Sequence, residues 1–255
     1  MKKKKIGFVA SKNPDAEKSL KKLKKMYDNV LPREADVIVA LGGDGTVLNS
    51  LHSFLKKKIP IYGMNKGHIG FLMNNYSEKN LIERVMKSNS TKLYPLKIKY
   101  FNKDGLHSES LAFNDVSVIR DSRQIAKISI KINNQLKMQE LLCDGCLIST
   151  PAGSSAYNLS LRGPVIPVDA KLLAITPISP YRPRRWRGAL VPNSVKITLT
   201  AHDEINRPVR AEADFSEIKN ISKVEVELEK KKYMNLLFDP GHDLEDRILN
   251  EQFIF

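Results

Sequence analysis

A glycine-rich turn that carries one carboxylate is the part of this sequence best suited to chemistry. It reads Gly-Gly-Asp-Gly-Thr over residues 42–46 and follows an apolar stretch at residues 37–41. Glycine lets backbone N–H groups approach a bulky anion, and a helix that starts after the turn adds further donors. Asp44 repels phosphate, so we interpret it as the acceptor of a hydrogen bond or proton from a hydroxyl that attacks the phosphate. The alternative is a tight turn in which Asp44 caps the helix.

Short apolar strands that alternate with helical stretches must position this turn. A second glycine cluster, residues 67–72, follows the third strand. This order predicts an α/β domain with a parallel sheet and a ligand crevice where the strands end. The predicted strands are residues 6–10, 37–41 and 60–63, and the predicted helices are residues 14–27, 47–55 and 78–87.

From residue 93 to about residue 228, short β runs replace the helical periodicity, and turn signals separate them. We expect an all-β, antiparallel, sandwich-like domain, with strands at residues 96–101, 108–113, 115–120, 126–132 and 196–200. Residues 238–253 contain a helical pattern whose apolar side chains need a surface to cover. The predicted organisation is an α/β domain over residues 1–92, a β domain over residues 93–228, and a segment over residues 229–255 that packs back on the first domain.

Further polar residues lie in the β region. Asn114-Asp115 stands between two strands, where a simple turn explains the pair better than a binding site does. Asp144-Gly145 is equally compatible with a bulge or a turn, and Asp214 indicates nothing by itself. The stretch at residues 148–160 is more distinctive, because its serine and threonine hydroxyls, its tyrosine and fresh helix N–H groups can bind phosphate, sugar or base edges.

Composition and charge limit the partners. The formal net charge of the 255 residues is +14, but the lysines are spread over plausible solvated helix faces, and aromatic-plus-basic RNA-binding motifs are missing. We therefore expect no nucleic-acid partner. No apolar run reaches the roughly 20 residues of a membrane span, so we expect a cytoplasmic protein without a membrane partner. Cys143 and Cys146 fall in a predicted strand, residues 141–148, and are expected to be reduced and partly buried. The histidines have no metal-ligand spacing.

Together these segments resemble the NAD kinase family, of bacterial type. The Gly-Gly-Asp-Gly turn is shared with lipid kinases and phosphofructokinases, but its combination with Ser-Thr-Pro-Ala-Gly-Ser-Ser-Ala-Tyr-Asn is specific. The chain departs from the family at Asp115, where the family has Glu, at Phe215-Ser216, where it has Gly-Gln, and at residues 179–187, where it has Pro-His-Ser-Leu. The matching segments follow the family's order, at residues 42–45, 67–72, 114–115, 144–145, 149–158, 163–164 and 247–253.

The resemblance implies an activity. ATP would give its γ-phosphoryl group to the 2′-hydroxyl of the adenosine ribose of NAD and so make NADP, with Asp44 orienting and deprotonating the hydroxyl. Polyphosphate stays open as a second donor. A divalent cation, Mg²⁺, would accompany ATP, and no protein-only metal site is expected. The alternatives are a lipid or sugar kinase that shares the glycine turn and a non-catalytic NAD(P)-binding sensor.

The resemblance also implies the binding residues. Asp115 would take a ribose, and Asp144 the carboxamide or a neighbouring group. Phe71 and Asp214 would line the pocket near Asp44. A second subunit completes the sites in the family, so we expect a homodimer or homotetramer with shared active sites. The full set of expected ligand contacts is Gly42, Gly43, Gly45, Thr46, Phe71, Asn114, Asp115, Asp144, Ser155, Ala156, Tyr157, Asn158, Ser160 and Asp214.

Overall fold

The computed structural model describes residues 4–67 and 70–241. They form two compact units, each with its own core. The first unit runs to Leu93 and resumes at Lys231, and the second is Tyr94–Lys230. The first is an α/β unit with a mainly parallel sheet, and the second is an antiparallel β unit. The fold class that the sequence predicts is therefore confirmed.

Strands and helices alternate in the first unit, whereas strands dominate the second. Before residue 94 the elements are β1 (Ile6–Ala10), α1 (Pro14–Met26), β2 (Val37–Gly42), α2 (Asp44–Phe54), β3 (Ile61–Asn65), α3 (Leu81–Lys87) and β4 (Asn89–Leu93). The second unit contains β5 (Leu96–Asn102), β6 (Gly105–Ala112), β7 (Asp115–Arg120), β8 (Ala126–Ile132), β9 (Gln135–Cys143), β10 (Gly145–Ser149), α4 (Tyr157–Ser160), β11 (Leu172–Ile178), β12 (Ala189–Pro192), β13 (Ile197–Ala201), β14 (Val209–Ala213), β15 (Ser216–Ile218) and β16 (Lys223–Leu228). The chain then returns to the first unit as β17 (Met234–Phe238).

Local sequence explains where α1 begins. The side-chain oxygen of Asn13 accepts the N–H of Asp15 at 2.9 Å, and Pro14 occupies the first helical position, where its missing N–H leaves no bond unmade. Ala16 and Leu23 are fully buried in the core that the helix forms with the sheet. No helix within the described residues is long and apolar enough to cross a membrane.

The sheet of the first unit has the strand order β1-β2-β3-β17-β4. β1, β2, β3 and β17 run parallel, and only the edge strand β4 runs antiparallel to its neighbour. All six residues of β2 are buried, as a parallel strand covered on both faces should be. β1 and β2 are paired in register, so they end at the same edge of the sheet.

The returning segment differs in form from its prediction. It enters the first sheet as β17, a short apolar run between β3 and β4 that the sequence reading did not predict as a strand. The predicted helical pattern falls mainly on residues 242–253, which lie outside the described residues. The segment is thus held in the first unit by main-chain hydrogen bonds of β17 as well as by burial of its apolar side chains.

Two six-stranded antiparallel sheets build the second unit. Their strand orders are β12-β11-β10-β7-β14-β15 and β6-β5-β16-β13-β8-β9. One hydrophobic core contains buried residues of both sheets, such as Val116 and Ile148 from the first and Ile98 and Val224 from the second. The sheets therefore pack face to face as the predicted sandwich.

The single strand predicted at residues 141–148 is wrong. β9 ends at Cys143 and β10 begins at Gly145, with a break at Asp144. Residues three apart face opposite sides of an unbroken strand, but after this break both Cys143 and Cys146 lie in the core. Both thiols are free and fully buried. Burial raises the pKa of Cys143 to about 12 and that of Cys146 well above its ordinary value, so neither is a reactive thiolate.

Candidate active site

Two backbone donors hold the carboxylate of Asp44. The N–H of Phe71 donates to Oδ2 at 2.8 Å, and the N–H of Leu72 donates to Oδ1 at 2.9 Å. Asp44 is the first residue of α2, whose N-cap is Gly43 and has no side-chain capping bond. The structure thus does not support the N-cap interpretation of Asp44, because the carboxylate reaches a separate loop and is fixed there in one orientation.

The loop that supplies these donors is anchored by Asn74, which is fully buried. Its side-chain amide donates to the carbonyl oxygens of Gly63 at 3.0 Å and Leu237 at 2.9 Å, and its oxygen accepts the N–H of Asp239 at 2.8 Å. Asn74 therefore ties the loop to β3 and β17. Sequence reasoning missed this residue; its only signal was an amide next to the apolar pair before it.

The glycines of the turn have two different roles. Gly42 has φ +156°, and a Cβ on it would lie 2.2 Å from Oγ1 of Thr46, so packing within the turn requires glycine there. A Cβ on Gly43 or Gly45 would meet no atom within 4 Å. The sequence predicts that all three cradle phosphate. The geometry gives Gly42 a packing role and leaves open space at Gly43 and Gly45. The phosphate contacts of all three glycines stay a prediction.

A crevice of about 600 Å³ opens beside these two glycines, at the carboxyl ends of β1 and β2. Its walls include Ser11 and Lys12, which follow β1, and Thr46 in the first turn of α2. The N–H of Ser11 bonds the carbonyl of Leu41 at 2.9 Å, which keeps the two strand ends together. Sequence reasoning missed Ser11 and Lys12, although a parallel sheet brings the ends of neighbouring strands to one edge. His68 and Ile69 of the second glycine cluster lie outside the described residues.

Three predicted segments meet in the second unit. The carboxylate of Asp214 accepts the N–H of Phe113 at 2.6 Å and the N–H of Asn114 at 3.1 Å. The carbonyl of Asn114 in turn accepts the N–H of Thr150 at 2.9 Å. Asn114-Asp115 is therefore held from both sides, which a simple surface turn does not require. Asp214 has φ +46°, a conformation that aspartate tolerates better than most residues do.

The side chain of Asp115 is half-buried and lies near two other acidic side chains, Asp214 and Glu212. Burial, with the negative charges of Asp214 and Glu212, raises the pKa of Asp115 to about 7. A buried carboxyl group beside two others is costly for stability and is typical of functional sites. This cluster is therefore a candidate binding site on the second unit.

The hydroxyl-rich segment at residues 148–160 packs against the backbone of Phe113 and Asn114. The Thr150 hydroxyl donates to the carbonyl of Phe113 at 2.7 Å and accepts the N–H of Gly153 at 3.0 Å. A Cβ on Gly153 would lie 2.2 Å from the carbonyl oxygen of Asn114. Among the predicted contacts that follow, Ser155 is buried, Ala156 is half-buried, and Tyr157 and Ser160 are exposed.

The side chains of two predicted ligand contacts, Asn158 and Asp144, form polar contacts with other residues of the protein. Asn158 is fully buried, and its amide donates to the carbonyls of Ser154 at 3.1 Å and Pro164 at 2.9 Å while accepting the hydroxyl of Thr176 at 2.6 Å. This geometry favours a structural role for Asn158 over the ligand contact that the sequence predicts. The carboxylate of Asp144 is partly exposed and accepts Nε of Arg120 at 2.7 Å.

Comparisons with known proteins bear on both units. Residues 1–90 match the family model of the ATP-NAD kinase N-terminal domain, and residues 113–233 match that of the ATP-NAD kinase C-terminal domain. The NAD kinase of Caulobacter vibrioides is 46% identical over 248 residues, which cover 97% of this chain and 95% of the relative. The NAD kinase of Hyphomonas neptunium is 45% identical over 250 residues, 98% of each chain.

Two solved structures share the fold. Yeast NADH kinase complexed with NADH has a TM-score of 0.82 at 19% identity and covers 98% of this chain and 87% of the yeast chain. An NAD kinase from Archaeoglobus fulgidus in complex with ATP has a TM-score of 0.76 at 20% identity and covers 98% of this chain and 100% of the archaeal chain. None of these matches supports a lipid or sugar kinase or a non-catalytic sensor. The two matched domain models and the full-length relatives show that the chain belongs to the NAD kinase family.

Proposed function

We propose that Asp44 is the catalytic carboxylate in the transfer of the γ-phosphoryl group of ATP to the 2′-hydroxyl of the adenosine ribose of NAD, which makes NADP and ADP. The observation that carries this proposal is the pair of N–H groups, from Phe71 and Leu72, that fixes the carboxylate at the start of α2. Asp44 lies between Gly43 and Gly45, which line the proposed phosphate crevice, so its negative charge disfavours phosphate binding. It has a use where a hydroxyl must be oriented toward phosphorus.

The protein's part in the reaction is mainly positioning. A bond forms between the ribose 2′-oxygen and the γ-phosphorus while the bond to the β,γ-bridging oxygen breaks, through a loose transition state. An aspartate carboxylate is a weak base for an alkyl hydroxyl in the ground state. The hydroxyl becomes acidic as its oxygen bonds to phosphorus, so Asp44 accepts the proton late. Its two backbone donors keep it oriented for that step.

The crevice of the first unit is the proposed triphosphate site. Its volume of about 600 Å³ suits a nucleotide-sized group. Gly43 and Gly45 leave room for phosphate oxygens, the N-terminus of α2 offers N–H donors, and Lys12 adds positive charge. The side-chain oxygens of Thr46 and Asn49 fit the preference of Mg²⁺ for oxygen ligands. When bound with ATP, that cation supplies charge neutralisation on the phosphates.

The Asp115 cluster of the second unit is the proposed dinucleotide site. Asp115 would accept ribose hydroxyls, and Asp214 would position it through the main chain of Phe113 and Asn114. Tyr157 is 40% exposed, and its ring would contact the ligand. Asp144 would accept the carboxamide N–H₂ with Arg120 holding it in place. Asn114, Ser155, Ala156 and Ser160 complete the proposed contacts.

We also propose a homodimer or homotetramer with shared active sites, acting in the cytoplasm. The assembly is supported by the family resemblance, and the two free buried thiols suit a reducing compartment. Light scattering on the purified protein, across the concentrations used for assay, tests the assembly. A monomer with full activity would contradict the shared sites.

The Asp44→Ala variant tests the role of the carboxylate. Purified protein with NAD, ATP and Mg²⁺ is assayed for NADP by a coupled NADP-specific dehydrogenase, and polyphosphate replaces ATP in a parallel reaction. We expect Asp44→Ala to bind NAD within a few-fold of the wild type and to lose at least roughly 100-fold in turnover, as for other positioned bases. The matched control is Asp15→Ala, an exposed aspartate in the first turn of α1. Near-normal turnover in Asp44→Ala would remove Asp44 from the mechanism.

A further inference from the structure

A salt bridge joins α3 to the end of β17 in the first unit. Nη2 of Arg84 pairs with Oδ2 of Asp239, the residue that follows β17, and Nε of Arg84 donates to Oδ1 at 3.3 Å. The two side chains are only 19% and 14% exposed, whereas those of the pair Lys87 and Glu83 on α3 are 69% and 58% exposed. Removing two charges from water to this extent costs free energy, which additional hydrogen bonds must offset.

A buried tyrosine supplies one of these additional contacts. Tyr62, which is fully buried in β3, donates its hydroxyl to Oδ1 of Asp239 at 2.6 Å. Burial and this hydrogen bond raise the pKa of Tyr62 well above its ordinary value, so the phenol is a neutral donor. The guanidinium carbon of Arg84 lies 5.6 Å from the centroid of the same ring, which is a cation–π contact. The ion pair is therefore fixed against β3 as well as between α3 and β17.

The remaining donors of the ion pair reach the loop between β3 and α3. Nη2 of Arg84 donates to the carbonyl of Asn75 at 2.8 Å, and Nη1 donates to the carbonyl of Ser77 at 3.4 Å. The N–H of Asp239 donates to the side-chain oxygen of Asn74 at 2.8 Å. Three residues of one short stretch of the loop, 74, 75 and 77, are thus attached to a single ion pair.

The same loop orients the carboxylate of Asp44. The two N–H groups that hold this carboxylate belong to Phe71 and Leu72, three and two residues before Asn74. A loop that is fixed at residues 74–77 leaves little freedom for N–H groups so close along the chain. Since a shift of about 1 Å in a catalytic group can cost about 100-fold in rate, the contacts that fix this loop also govern how well Asp44 is oriented.

We propose that Arg84 and Asp239 are positioning residues for phosphoryl transfer, because their ion pair holds the loop whose N–H groups orient Asp44. This inference rests on the proposed function, since the pair affects turnover only through Asp44. Within the part of the chain that the structure describes, other residues line the crevice beside Gly43 and Gly45. The pair should therefore affect kcat and leave the KM values for ATP and NAD nearly unchanged.

The variant Asp239→Asn tests the inference, because it keeps the shape of the side chain but removes its negative charge. The matched control is Asp203→Asn in the second unit. Asp203 also pairs with an arginine, Arg207, which is 21% exposed and likewise donates to a main-chain carbonyl, that of Ile125 at 2.6 Å. We expect kcat for NADP formation to fall at least tenfold in Asp239→Asn, with both KM values within twofold. In Asp203→Asn, kcat should stay within twofold of the wild type.

A double variant separates positioning from a general loss of stability. If Asp239 acts through Asp44, the variant Asp44→Ala/Asp239→Asn should turn over within about twofold of Asp44→Ala alone. Two independent defects would instead multiply their losses. A wild-type kcat in Asp239→Asn, or losses that multiply in the double variant, would overturn the inference.

Amide hydrogen exchange, read by NMR without substrates, reports on the loop directly. In Asp239→Asn, exchange at the N–H groups of Phe71 and Leu72 should accelerate at least tenfold more than at Val39, a buried residue of β2. Unchanged exchange, or an equal acceleration at all three positions, would overturn the inference. Exchange does not depend on catalysis. Near-normal turnover in Asp44→Ala would therefore remove the proposed function, while the exchange rates would still decide whether the ion pair holds the loop.

Discussion

Replacing Gly45 with alanine should separate phosphate binding from folding. Gly45 is the second residue of α2, its φ is not in the left-handed region, and a Cβ on it meets no atom within 4 Å. Alanine loses less backbone entropy than glycine when a helix forms, about 0.5–1 kcal/mol in a helix interior. Close to the helix start we expect about 0.5 kcal/mol, which raises Tm by about 1–2 °C in a chain of this size.

The same methyl group would stand in the crevice that Gly45 lines. If phosphate oxygens lie against that glycine, the methyl group displaces them from at least one N–H donor. Loss of one charge-assisted hydrogen bond costs about 1.5–3 kcal/mol, so we expect KM for ATP to rise at least tenfold. KM for NAD should stay within about twofold, because the proposed dinucleotide contacts of the second unit are unchanged.

Initial rates of NADP formation and thermal unfolding of the same preparations measure both effects. Gly43→Ala, which also has open space, should raise KM for ATP without the gain in Tm, because Gly43 is the N-cap and not a helical residue. Gly42→Ala should instead lower Tm, because its Cβ would lie 2.2 Å from Oγ1 of Thr46. An unchanged KM for ATP in Gly45→Ala would refute the placement of the phosphates, and a large loss of Tm would refute the open geometry of the turn.

Two further predictions concern the second unit. Gly153→Ala should destabilise that unit by about 2–4 kcal/mol and weaken NAD binding, because its Cβ would lie 2.2 Å from the carbonyl oxygen of Asn114. Urea unfolding and NAD titration measure the two effects. A variant as stable as the wild type would contradict the close packing at Gly153. NAD affinity should fall about tenfold from pH 8 to pH 6, because an Asp115 pKa of about 7 means that the carboxylate is mostly protonated at the lower pH and cannot accept two hydroxyls. Calorimetric titration of the wild type and Asp115→Asn at both pH values measures it, and an equal slope in the two proteins would exclude Asp115 as the cause.

The sequence predicts the reactive turn because every signal for it is local. The apolar run of β2, the glycines and the start of α2 all lie within residues 37–54. It does not predict what holds Asp44, because the donors are backbone N–H groups 27 and 28 residues further along. Every residue except proline has such a group, so the side chains of Phe71 and Leu72 contain no sign of the contact.

The sequence also does not separate residues that bind a ligand from residues that shape the site. Asn158 belongs to the most specific motif of the chain, yet its amide is satisfied inside the protein by Ser154, Pro164 and Thr176. Burial decides between these roles, and burial depends on how the strands of the second unit pair. Lys12 is the opposite case, because it lines the crevice only through the parallel pairing of β1 with β2.

Each unit contains an aspartate whose carboxylate accepts two successive backbone N–H groups, but the proposed functional residue is a different partner of the contact in each unit. Asp44 accepts two successive N–H groups, from Phe71 and Leu72, and Asp214 accepts two successive N–H groups, from residues 113 and 114. In the first unit the loop N–H groups fix the carboxylate of Asp44, which is the proposed reactive group. In the second unit the carboxylate of Asp214 fixes the loop at residues 113 and 114, which is followed by Asp115, the proposed ligand contact. Asparagine has only one acceptor oxygen and would turn an N–H₂ group toward the second donor. The need to accept two adjacent N–H groups therefore favours a carboxylate over an amide at both positions, and in the first unit it leaves Asp44 oriented for the proposed proton transfer.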